Sequence, residues 1–179
     1  MSVGFWESPR CERRAEGLMG EICGPDESDF ELDQMKAILF VRDGRTMQTF
    51  LPYADFQQSL AALDYKRLGK QRVEARQILD ILRGQPSSWA SHPAVRMWRG
   101  FEGALVAYYN AALKEWAARG YRNIILQPLP ESSRPVMPWW LGREDFHASH
   151  RSKLLAKNPE HYSQFGWGEE PGQPYVWPV

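Results

Sequence analysis

The sequence predicts an all-α fold, or nearly so, on three observations. Apolar residues recur every three or four positions along Phe56–Leu63 and Trp98–Trp116, a second stripe runs through Val73, Ile78, Ile81 and Leu82, and Phe146, Leu154 and Leu155 anchor Arg143–Lys157, the pattern of helices with one apolar face. Cap and turn signals fall between those stretches, at Arg83–Ser88, Ser91–Pro93, Arg119–Gly120 and Asn158–Pro159. The strand-like run Lys36–Arg42 (KAILFVR) is short and precedes the periodic body.

Residues 1–34 combine Gly, Pro and Ser with the acids Asp26, Glu27, Asp29, Glu31 and Asp33, and show no sustained period. They read as loosely packed or disordered chain. KAILFVR adds at most one strand, and Asp43–Gly44 marks a turn. Met47 begins MQTFLPYADF, the natural start of a globular domain, which divides the chain into an acidic extension, 1–46, and a helical domain, 47–179. The first helix carries Phe56, Leu60 and Leu63 on one face. Gly69 is expected to bend the chain near Leu68–Gly69, and a second helix with Val73, Ile78, Ile81 and Leu82 follows. A long helix then runs through Trp98, Phe101, Leu105, Tyr108, Tyr109, Ala112, Leu113 and Trp116, opened by Ser91-His92-Pro93 and closed by Arg119–Gly120. Residues 122–142, with Pro128, Pro130, Pro135 and Pro138, form an ordered crossing loop pinned by Trp139–Trp140. Arg143–Lys157 is the last long helix, and an aromatic, turn-rich C-terminal segment closes over the bundle.

Apolar residues make up 43 % of the chain, enough for a real core. No apolar run approaches the roughly 20 residues that span a bilayer. The N-terminus lacks the pattern of a signal peptide. With Cys11 and Cys23 outside any metal-ligand pattern, a reducing cytoplasm is the expected compartment. The zero net charge hides an asymmetry: residues 1–46 hold ten acids and six bases, and the remainder twelve acids and sixteen bases. A mildly basic body permits a polyanionic partner without requiring one. Phosphate-binding loops, dinucleotide fingerprints, zinc patterns and nucleophile elbows are all missing from the sequence. Neither a cofactor nor a metal is expected, and no obligate protein partner is evident.

The chemistry concentrates in Leu63–Arg76, LDYKRLGKQRVEAR, where Lys66, Arg67, Lys70, Arg72 and Arg76 stand against Asp64 and Glu74. A basic cluster at a helix start suits a phosphate, since free N–H groups and a partial positive charge meet there; a solvated helix face is the other reading. Glu74 lies one turn after Lys70, either as an ion-pair partner or as a catalytic acid held among cations. Arg96 and Arg99 begin the long helix and can meet phosphate. His147 and His150 are spaced i, i+3, with Arg151 and Lys153 beside them, and read as DNA contacts or proton-transfer groups. A water-based reaction at a sugar needs a carboxylate or imidazole to orient water, which makes Glu74, His92 and His150 the catalytic candidates. Tyr65, Trp98, Trp139, Trp140, Tyr162 and Trp167 are either core or base-stacking aromatics.

Three stretches in order resemble the pyrimidine-dimer DNA glycosylase family, the endonuclease V-like enzymes. They are Leu63-Asp-Tyr-Lys-Arg-Leu-Gly-Lys70, the helix opened by His92 and ended by Ala118-Arg119-Gly120-Tyr121, and His150–Gly166 (HRSKLLAKNPEHYSQFG). The resemblance covers about residues 47–179. It implies a compact three-helix fold that binds duplex DNA, kinks it, extrudes a nucleotide and cleaves the N-glycosidic bond of a pyrimidine lesion. It assigns DNA contact to Lys66 and Lys70. The chain departs from the family twice. Arg67 stands where the family's catalytic glutamate is expected, so either the acid has moved, with Glu74 the first choice, or the chemistry differs. The family's nucleophile is the α-amine of a processed N-terminal threonine, whereas here residues 1–46 precede the domain and Thr49 is internal.

The resulting expectation is a DNA glycosylase that flips a damaged or modified pyrimidine, such as a hypermodified phage base, out of duplex DNA. It would leave an abasic site without nicking the strand. The catalytic set is Glu74, His92 and His150. The DNA-binding set is Lys66, Arg67, Lys70, Arg72, Arg96, Arg99, His147, Arg151 and Lys153. A non-catalytic nucleic-acid-binding module and a helical protein-interaction domain are the alternatives, and a role in DNA repair or phage defence follows from the first reading.

Overall fold

The computed structural model describes residues 47–179; the N-terminal extension and its expected strand lie outside the described residues. The described residues form helices and no strands, as the periodicity predicts. In chain order they are α1 (Phe56–Ala62), α2 (Tyr65–Leu82), α3 (Pro93–Arg96), α4 (Glu102–Ala118), α5 (Glu144–Lys157) and α6 (Pro159–Tyr162), followed by a 3-10 turn at Ser163–Phe165.

Helix boundaries follow from side chains that satisfy the free N–H groups of each first turn. Asp55 accepts from the Gln58 N–H at 2.7 Å to start α1. Asp64 accepts from the Arg67 N–H at 3.0 Å to start α2. The break between them is at Leu63, which is extended at ψ 139°. The bend expected at Leu68–Gly69 is therefore not there, and α2 runs straight through Gly69. That glycine serves a close approach, since a Cβ on it would meet the Trp116 ring at 3.1 Å. The helix expected to run unbroken from Pro93 is interrupted at Met97–Phe101, where Gly100 adopts φ 81° before α4 begins. Of the tryptophan pair in the crossing loop, only Trp140 pins it: its indole donates to Met97 O at 3.0 Å, while Trp139 is 63 % exposed.

Helix α4 packs along α2 and α1. Arg119, just past its end, donates to the carbonyls of Leu60, Ala61 and Leu63 and pairs with Glu115 at 2.8 Å. One guanidinium thus fastens the end of α4 to the carbonyls at the C-terminal end of α1.

The middle of the fold is an extended segment, Met47–Leu51, buried between helices. No strand pairs with it, so side chains satisfy its backbone. Gln71 accepts from the Phe50 N–H at 2.7 Å and donates to Gln48 O at 3.0 Å. The Tyr108 hydroxyl reaches Phe50 O at 2.9 Å. The Trp98 indole donates to Thr49 Oγ1 at 3.0 Å. From α5, His147 Nδ1 meets Leu51 O at 2.8 Å, His150 Nδ1 accepts from the Leu51 N–H at 3.3 Å, and Arg151 Nη1 donates to Pro52 O at 2.9 Å. Helices α2, α4 and α5 all grip this segment, which places it beside α2's polar residues.

Candidate active site

Glu74 is on the inner side of α2 and is 5 % exposed. Its Oε1 pairs with Lys70 Nζ at 2.9 Å, one helical turn earlier, and its Oε2 accepts from Gln71 Nε2 at 3.2 Å. The backbone N–H of Gln48 faces the same carboxylate. Burial disfavours the charged form and raises its pKa from 4.5 to about 7, outweighing the lowering by Lys70, the Gln48 N–H and Lys157. A carboxyl poised between its two forms at neutral pH, close to the start of the domain, is the main chemical feature of the described residues.

Cations surround it. Lys70 is 41 % exposed and links Glu74 to solvent. The Lys157 amine, at the end of α5, is held below its ordinary range by burial and by the nearby charges of Arg67, Lys70 and Lys153, with Glu74 opposing. Arg67 ties the two helices together, donating to Asp64 Oδ2 and to Lys157 O, each at 3.1 Å. Lys153 Nζ donates to Gly172 O at 2.8 Å and lies 5.6 Å from the Tyr175 ring. Tyr175 belongs to the C-terminal segment and adjoins both Gln48 and Glu74. Burial, reinforced by Glu74 and opposed by Gln48, raises its hydroxyl to about 12.

Of the candidates, Lys70 pairs with Glu74, while Arg67 and Lys153 act on the neighbouring Lys157 amine. Lys66 lies on the exposed side of α2, 5.7 Å from the Tyr65 ring. Arg72 is 2 % exposed, its guanidinium 3.8 Å from the Trp116 ring and 3.2 Å from Asn123 Oδ1, and burial lowers its pKa to about 10. It is an internal stacking group rather than a surface cation. Arg151 is likewise inside, paired with Glu169 at 2.7 Å and with Glu144. Arg96 and Arg99 are exposed on the α3–α4 connection, Arg99 donating to Ala90 O at 2.9 Å.

The histidines are committed to backbone. His147 Nε2 accepts from the Gly142 N–H at 2.9 Å, so its proton is on Nδ1, donated to Leu51 O. His150 is fully buried, and burial lowers its pKa to about 3. His92 caps α3, its Nδ1 accepting from the Ala94 N–H at 3.2 Å. It joins the site through a chain of rings, 5.8 Å to Trp177, 5.3 Å on to Tyr175 and 5.3 Å on to His150.

Lys157, Gln48, Gln71 and Tyr175 were not among the sequence candidates. Lys157 carried a signal, one turn past Lys153 on the same helix. The other three are single polar residues whose meaning comes from residues distant in the chain. The described residues contain no cluster of three or more His, Cys, Asp or Glu able to hold a metal, and none of their helices is long and apolar enough to cross a membrane.

No curated protein matches the chain, and no solved structure matches it. A family model does. It spans the central buried segment, α1 to α4 and Glu74, and supports a DNA glycosylase-like function in general, with DNA as the substrate. Residues 47–126 match the model of the pyrimidine dimer DNA glycosylase family, the family that the sequence resembles.

Proposed function

We propose that this protein is a DNA glycosylase that hydrolyses the N-glycosidic bond of a damaged or modified pyrimidine in duplex DNA. The observation that carries the reading is the buried Glu74 carboxyl, poised near pH 7 beside Lys70 and Lys157, with Arg67 and Lys153 close to the Lys157 amine. Breaking a glycosidic bond develops positive charge on the sugar, which an ionised carboxylate stabilises while orienting the attacking water. The cations offer flanking phosphates a landing surface. A carboxylate beneath a protein surface cannot reach a glycosidic carbon inside a stacked duplex, so the nucleotide is flipped towards it.

The reaction stops at the abasic site. The backbone nitrogen facing Glu74 is the Gln48 peptide N–H, which cannot form an imine. The Lys70 and Lys157 amines beside Glu74 serve as charges in this reading, which a trapped adduct on either would overturn. Because Arg67 stands where the family resemblance places an acid, the substrate differs from the cyclobutane dimer. Hypermodified phage pyrimidines are one class to test, and they would give the protein a defensive role.

The experiment is incubation with duplexes that each carry one modified pyrimidine, with mass spectrometry for released base and borohydride present in a parallel set. Free base without a trapped adduct is expected. Duplex binding with no released base across the panel favours a non-catalytic DNA-binding module instead.

A further inference from the structure

Two buried hydrogen-bond donors beside Tyr175 have no acceptor at full bonding distance. His150 Nδ1 accepts from the Leu51 N–H, so the ring proton is on Nε2, and Nε2 has no partner. The Gln48 side chain uses its Oε1 for the Thr49 N–H at 2.9 Å and leaves Nε2 facing the Tyr175 hydroxyl without a well-formed hydrogen bond. Gln48 is 2 % exposed and His150 fully buried. Both adjoin Tyr175, whose ring centroid is 5.3 Å from that of His150 and whose hydroxyl adjoins the Gln48 side chain. Arg72 Nε and Glu169 Oε2 are also unpartnered, but neither adjoins Tyr175. Native proteins leave few such groups, because each costs about 1–3 kcal/mol.

Resting on the glycosylase reading, we propose that the Gln48 amide and the His150 Nε2–H are base-reading donors, selecting a pyrimidine with carbonyl oxygens at both C2 and C4. Two neutral donors complement a 2,4-dioxo base. A cytosine-type base presents an amino donor at C4, so the protein donor that faces that position would be left unpaired. Tyr175 covers the donors in the free protein and must swing aside. Its segment contains no helix and is held by the Val176 N–H on Ser149 Oγ at 3.1 Å and the Gln173 N–H on Ser152 Oγ at 2.8 Å. Lifting it disrupts no helix.

The test compares base release from matched duplexes, 5-hydroxyuracil against 5-hydroxycytosine and 5-hydroxymethyluracil against 5-hydroxymethylcytosine. The wild-type protein should favour the dioxo member of each pair. His150→Asn keeps an acceptor for the Leu51 N–H but loses the reading donor, and Gln48→Met loses its amide. Each should lower dioxo release by about 10- to 100-fold, shrink the dioxo preference and leave affinity for an abasic duplex unchanged. His150→Gln, which retains a donor near Nε2, should recover part of the preference. An unchanged preference in His150→Asn and Gln48→Met overturns the inference while the glycosylase reading stands. Absence of base release from every duplex by the wild-type protein overturns both.

Discussion

Lys70 Nζ lies 2.9 Å from Glu74 Oε1, yet the carboxyl is held near pH 7 rather than depressed. Lys70 is substantially solvated and Glu74 is not, so desolvation outweighs the ion pair. The folded protein holds a proton on Glu74 up to about pH 7, while an unfolded chain releases it near 4.5. The Glu74 contribution to stability is fully present below pH 4.5 and is lost as pH rises through 7. His150 works the other way, since its folded value is about 3 against 6.5 unfolded, and its contribution is lost as pH falls from 6.5 towards 3. Glu74→Gln should remove the decline between pH 4.5 and 7 and leave the protein more stable at pH 8, by about 3 kcal/mol at roughly 1.4 per pH unit. Urea midpoints at pH 5, 6, 7 and 8 measure it; parallel curves for the mutant and wild type would count against a near-neutral Glu74.

The basic residues divide by burial. Lys66 and Lys70 reach solvent, so replacing both with alanine should weaken duplex binding and lower the slope of log K against log salt by nearly one for each phosphate no longer neutralised. Arg72→Ala should leave that slope alone and instead destabilise the fold by about 2–4 kcal/mol, because it removes a buried stack on Trp116 and its bond to Asn123. Salt titrations and thermal melts of the two variants read the two effects separately. A slope change in Arg72→Ala alone would reverse the assignment.

Gly69 is a packing residue. In an open helix, alanine would gain about 1 kcal/mol over glycine. Here the added methyl meets the Trp116 ring at 3.1 Å, so Gly69→Ala should destabilise by about 1–3 kcal/mol. A higher melting temperature for this variant would show that Trp116 yields freely.

Helices were legible where a stripe of apolar residues kept its period, as along Leu105, Tyr108, Ala112 and Trp116. Breaks were less so. Gly69 looks like a hinge until Trp116 is set against it, and Gly100 hides inside a continuing apolar stripe while adopting a left-handed turn. Glu74 stood out as an acid one turn from Lys70, but its burial was invisible among Gln71, Arg72 and Arg76. His147 and His150 showed their shared helix face, while their grip on Leu51 joins residues nearly the whole domain apart. Gln48 and Tyr175 carry no periodic or motif signal, because their roles arise only where the two ends of the domain meet.

The extended segment should be indispensable where the extension before it is not. A chain beginning at Met47 retains every bond of Met47–Leu51 to Gln71, Tyr108, Trp98 and the α5 histidines. Its cooperative melt should stay within a few degrees of the full chain. A chain beginning at Pro52 lacks those bonds and should not fold cooperatively. Calorimetry on both chains checks this, and loss of the melt in the Met47 form would make residues 1–46 part of the folding unit.

The most direct test of the account is base release by Glu74→Gln, measured by mass spectrometry on a duplex that the wild-type protein cleaves, alongside duplex binding at fixed salt. Glutamine keeps the size of the side chain, exchanges one accepting oxygen for a donating amide, and cannot carry the negative charge that stabilises a cationic sugar. The account predicts a loss of at least about 100-fold in release, with binding within a factor of about two of wild type. Full release by the mutant would contradict it.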